Sequence, residues 1–176
     1  MTKLFLSLHV LAAVLAIGPV TVAASMFPAA LRRAGAPAPG DGDARANLRM
    51  LHRVCRVYAA VGTAVPVLGF ATASSLGVLG DGWLIVSIVL TTAAAAVLAL
   101  LILPGQDAAL VALQEQEQEQ EQEQEQGPGP GPGPGPGPGP GVRSAARLAM
   151  FIGVFNLLWA TVTVLMIIRP GSTTGA

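Results

Sequence analysis

At 176 residues the chain is long enough for one domain, but its composition excludes a water-soluble one. Half of it (52%) is apolar and 11% is charged, against about 25% charged in soluble domains. Ten Lys and Arg balance ten Asp and Glu, so no overall field recruits nucleic acid, and one cysteine (Cys55) with two histidines (His9, His52) excludes an internal disulfide and leaves few metal donors.

The first element is an apolar run from Leu4 to Phe27 holding His9. About 20 such residues let a helix cross ~30 Å of hydrocarbon. At 100° per residue Phe5, His9, Ala12, Ala13, Ala16, Val20 and Ala23 share one face, and Leu4, Leu8, Leu11, Leu15 and Val22 share the other. Small residues let helix backbones approach closely, so the first face packs and His9 points into a bundle. His9 then reads either as a proton, metal or haem ligand or as a neutral histidine bonded to a neighbouring helix. Val22-Ala23-Ala24 before Ser25 resembles a signal cleavage site. Arg32 and Arg33 after the run outweigh Lys3 before it, which favours a retained span.

Residues 28–47 read as a linker broken by Pro37, Pro39, Gly40 and Gly42. From Ala44 a helical pattern sets in, with Arg45, Arg49, Arg53 and Arg56 along one side as a basic face. That stripe fits anionic headgroups or simply marks the cytoplasmic boundary. His52 is expected to be a solvated neighbour of these arginines and Cys55 a packing residue. The second span is expected over 54–79, with Cys55, Gly62, Pro66, Gly69 and Ala73 as its small-residue seam. Gly80-Asp81-Gly82 makes a tight hairpin, and Trp83 opens a third span that runs to Leu103 and ends at Pro104-Gly105.

Asp107 is placed to cap a short helix, 108–113. Residues 114–126 then alternate Gln and Glu, and residues 127–141 alternate Gly and Pro. Period two excludes collagen, which needs glycine at every third residue. With no apolar face, the insert 114–141 is expected to stay disordered. The fourth span is expected over 146–168, packing through Ala149, Gly153, Asn156, Ala160 and Thr163, with Trp159 filling space between helices.

The fold class is therefore an all-α, four-helix transmembrane bundle with a disordered low-complexity cytoplasmic loop (spans 4–27, 54–79, 83–103 and 146–168). Arg32, Arg33, Arg45, Arg49, Arg53, Arg56, Arg143 and Arg147 flank the two long loops, which the positive-inside rule puts in the cytoplasm with both termini outside. Counting from the outer boundary brings His9, Ser87 and Thr163 to nearly one level. They form a possible polar intramembrane site with Thr91 and Asn156, joined by Thr72. His9 and His52 stand roughly 20 Å apart in depth, too far to share one iron. No carboxylate lies in a span and no Ser-His-Asp or HExxH pattern occurs, so catalytic residues are not expected.

Leu8-His9-Val10-Leu11-Ala12-Ala13 with Gly18, and Arg169-Pro170 after the last span, resemble a bacterial family of small four-helix integral membrane proteins of unknown function. That family is distantly like copper-resistance protein D. The resemblance covers roughly 1–113 and 142–170. It implies a bacterial inner-membrane protein and points to copper or haem near His9, although the spans lack paired methionines or histidines. The expected function is a non-enzymatic membrane component assisting transport or assembly, without cofactor. Its partners are the lipid bilayer and a membrane protein or a second copy. The alternative is a copper- or haem-associated protein centred on His9.

Overall fold

The computed structural model describes residues 2–35, 41–126 and 140–171. Residues 36–40 of the expected linker and 127–139 of the Gly/Pro tract lie outside them. Six α-helices follow in order: α1 (Thr2–Ala34), α2 (Asp41–Gly62), α3 (Ala64–Leu76), α4 (Gly82–Val97), α5 (Leu103–Gln126) and α6 (Pro140–Ile168). A π-helical turn, Leu98–Ile102, joins α4 to α5. No strand occurs among the described residues. Four continuous helical stretches are long and apolar enough to cross a membrane: Lys3–Ala34, Asp43–Leu76, Gly82–Glu119 and Val142–Ile168.

Each span is longer than its apolar run. α1 passes through Pro19 and Pro28 as helix and buries Phe27, Pro28, Ala30, Leu31 and Ala34, so the linker begins later than Pro28. α2 starts at Asp41 and buries Leu48, Leu51 and Cys55 in the same core. The second span breaks at Thr63 because Pro66 has no N–H to give the Gly62 carbonyl and its ring crowds that carbonyl. Thr63 turns the chain there, its N–H and Oγ1 both donating to Ala60 O at 3.2 and 2.7 Å. The break also turns Pro66 outward and Val65 inward, a correction to the expected seam.

Pro104-Gly105 does not end the third span. Ala94, Leu98, Ile102 and Gln106 are all buried, three steps of four residues. In a regular helix each such step drifts about 40°, so the stripe would walk off the interface. The wider turn at Leu98–Ile102, closed by Leu103 N–H to Leu98 O, removes that drift and makes room for the ring of Pro104. Gly105 is needed next, since a Cβ there would lie 2.8 Å from Leu148 Cδ2 on α6. α5 then continues as helix through the Gln/Glu tract to Gln126. Gln and Glu are good helix formers, and a helix already nucleated in the bundle extends at little cost.

α1 lies at the centre, packed antiparallel against α2–α3 on one side and against α6 on the other, with α4 on α6. Within the bundle α1 behaves as its sequence suggests: His9, Ala16, Val20 and Ala23 are buried while Leu4, Leu8, Leu11, Leu15 and Val22 face outward. α6 does not. Its buried face is Ala145, Leu148, Ile152, Phe155 and Val162, and Ala149, Gly153, Ala160 and Thr163 are exposed. Bulky side chains of α6 pack against α1 and α4, and the small residues are left outside.

At the end away from the arginine stripe, Gly77 takes a left-handed turn (φ 71°) that closes α3, and Asp81 starts α4. Trp83 donates from Nε1 to Asp81 Oδ2 at 2.9 Å, while Arg169, at the end of α6, lies 5.6 Å over its ring. A double-mutant cycle on Gly105→Ala and Leu148→Ala tests the α5–α6 contact. Each single change is expected to lower stability in detergent, the glycine change by about 1 kcal/mol. The pair should cost less than the sum; strict additivity would mean the two residues do not meet.

Candidate functional site

His9 sits where α1 meets the break between α2 and α3. It is buried, and its Nδ1 donates to Val65 O at 3.0 Å. The acceptor is a carbonyl, so Nδ1 carries a proton, and Nε2 is not used in this contact. Gly69, one turn on, makes room for the ring: a Cβ there would fall 2.9 Å from His9 Cε1 and 3.2 Å from Nδ1. His9 is therefore a pin between the first and second spans, seated on glycine.

The rest of the expected polar layer does not join it. Ser87 is fully buried but donates within its own helix to Trp83 O at 2.8 Å. Thr72 likewise donates to Leu68 O, and Thr163, exposed, to Trp159 O. Thr91 is half-buried. In an apolar medium a hydroxyl satisfies itself most cheaply on the carbonyl four residues back, without recruiting another helix. Asn156 does reach across, donating from Nδ2 to Ser25 Oγ at 3.3 Å. Ser25 stands sixteen residues beyond His9, roughly 24 Å along α1, so Asn156 belongs to another level. Its Oδ1 and the Trp159 Nε1 are both buried without a partner. Trp159 itself packs edge-on to Phe155, ring centroids 6.4 Å apart.

A second polar cluster lies at the opposite end of the bundle, where none was expected. His52, on α2, is buried, and its Nδ1 stands 3.0 Å from Oε1 of Gln106 on α5. Gln106, fully buried, donates from Nε2 toward Cys55 Sγ at 3.7 Å. Asp107 Oδ1 approaches His52 Nε2 to 2.9 Å, though off the direction of a ring N–H, so the two do not form an aligned hydrogen bond. Asp107 is half open to solvent. Gln106 Oε1 stands at Nδ1 and Asp107 Oδ1 near Nε2; were the Gln106 amide to turn round, its NH₂ would give to Nδ1 and Cys55 S–H to Oε1. This corrects the solvated His52. Leu48, His52 and Cys55 recur at four and three residues, a core spacing that would have placed His52 inward.

Chemically the cluster is a lock more than a catalyst. Neither His52 nitrogen faces Cys55, so the ring is not aligned to take the thiol proton, as a nucleophile–base pair requires. Among the described residues no three His, Cys, Asp or Glu side chains gather to hold a metal. Of the basic face, Arg49, Arg53 and Arg56 are exposed, and Arg45 pairs with Glu117. No family model, curated protein or solved structure matches the chain.

Two variants test the two clusters. Gly69→Ala pushes the His9 ring off Val65 and is expected to cost about 1–3 kcal/mol, with loss of the Nδ1–H signature in nitrogen NMR. Gln106→Leu strands His52 and is expected to cost a similar amount. A Gln106→Leu protein as stable as wild type would show that the interspan bond contributes nothing.

Proposed function

We propose that this multi-pass membrane protein is a non-enzymatic component that assists transport or assembly through its helix packing. The observation carrying this reading is that both histidines are occupied in joining spans: His9 bonds α1 to α3, and His52 bonds α2 to α5. Its partners are the bilayer and another membrane protein or a second copy. Outward residues such as Val14, Val22, Val67, Phe70, Leu100, Leu157 and Ile167 suit lipid or a partner helix. The family resemblance points to a bacterial inner membrane, and the positive-inside rule would put the arginine-rich end in the cytoplasm with both termini outside. The up-and-down helix order supports it, gathering Arg32, Arg33, the α2 stripe, Arg143 and Arg147 at one end and Lys3 and Arg169 at the other.

A second reading, copper or haem at His9, draws on one observation. A metal-bound histidine characteristically gives its other ring N–H to a carbonyl, as His9 Nδ1 does. The residues around it do not otherwise fit such a group, because among the described residues no cluster of His, Cys, Asp or Glu joins its one nitrogen. The reading therefore needs a donor from a second chain. Metal and haem content of detergent-purified protein, wild type beside His9→Ala, separates the two. Colourless, metal-free protein retaining a membrane partner is the expected result. A Soret band or stoichiometric copper that vanishes in His9→Ala overturns the non-cofactor reading.

A further inference from the structure

The arginine stripe is not a uniform surface. Where α2 and α5 run side by side they leave a crevice lined by Arg45, Arg49, Leu110, Leu113, Gln114 and Glu117. We propose that this crevice binds the phosphate-bearing headgroup of an anionic phospholipid, with Arg45 and Arg49 as its ligands and Glu117 as the group it displaces.

Three features support it. The first is the donor supply. Arg45 is ion-paired with Glu117 through Nη1, but its Nε is buried with no partner. Arg49 is exposed and has no ion pair among the described residues. Two guanidinium forks converging on one crevice match the geometry of a phosphate. The second is depth. On α5 the lining runs from Leu110, seven residues or about 10 Å of rise past Leu103, to Glu117, about 21 Å past it. The headgroup layer is roughly 5–8 Å thick, so a headgroup meets the crevice at its membrane-side end, beside Leu110 and Arg49. Long arginine side chains reach across such a gap. Leu110 supplies an apolar wall at that end.

The third feature is that the crevice is already filled by charge of the right sign. With Glu117 in place it has about 20 Å³ free, room for a water molecule and not for a phosphate. A headgroup enters only by taking over Arg45 from the carboxylate. Glu117 is the second glutamate of six between residues 114 and 126. Glu117, held on α5, is thus a built-in competitor for the lipid site. The proposal is independent of which side of the membrane this end occupies.

The test uses the full chain in neutral detergent, titrated with phosphatidylglycerol, phosphatidylcholine and inorganic phosphate, with bound species counted by native mass spectrometry. Phosphatidylglycerol is expected to be retained in preference to phosphatidylcholine. Arg49→Gln should weaken it about five-fold, the effect of one charge at a membrane surface. Glu117→Gln, nearly isosteric, should strengthen it, and Arg53→Gln, outside the crevice, should change it less than Arg49→Gln. The proposal fails if Arg53→Gln weakens binding as much as Arg49→Gln, if Glu117→Gln leaves it unchanged, or if inorganic phosphate displaces the lipid at equal concentration.

Discussion

In hydrocarbon no water is available to a backbone N–H or C=O, so every interruption of a helix must be repaired from within the protein. Four prolines lie in the spanning helices, and the bundle's shape follows from how each is accommodated. Pro19 and Pro28 leave α1 continuous. Pro66 breaks the second span at Thr63, and the break lies beside the carbonyl of Val65 that receives His9. Pro104 is admitted by the widened turn of Leu98–Ile102, which also aims Gln106 at α2. The two histidine contacts between spans thus sit beside the two irregularities of the backbone.

The contacts differ in kind. His9 meets a carbonyl, a partner that cannot move or change its hydrogen-bonding sense. His52 meets an amide, which can turn, and a carboxylate half open to water. One end of the bundle is therefore pinned by fixed groups and the other by groups that can rearrange, and the rearranging end is the one next to the arginine crevice. Association of helices in lipid lacks a hydrophobic drive, and polar bonds of this sort contribute about 0.6–2 kcal/mol each. Two of them are a meaningful share of what holds the spans in register.

The four spans were legible because a bilayer sets a length and an apolarity that few other structures satisfy, and the inward face of α1 was legible from its small residues. Other features were hidden for identifiable reasons. A hydropathy run ends at Pro104-Gly105, but a helix does not have to, and only the packing of Leu148 against Gly105 shows that it continues. On α6 the small-residue rule pointed to the wrong face, because the space beside α1 and α4 calls for Phe155 and Ile152. The polar layer around His9 assumed that hydroxyls bond between helices, whereas Ser87, Thr72 and Thr163 bond within them. The His52 cluster pairs residues 54 positions apart, a distance over which no local pattern carries information.

The unbroken passage from the third span into α5 makes the Gln/Glu tract a shaft and not a tether. Along an α-helix each further Gln-Glu pair advances the exit point by about 3 Å and rotates it by about 200°. Adding or losing repeats would therefore act as a screw, changing the compass direction in which the chain leaves for the Gly/Pro tract. Copy number in this stretch is read out as an angle.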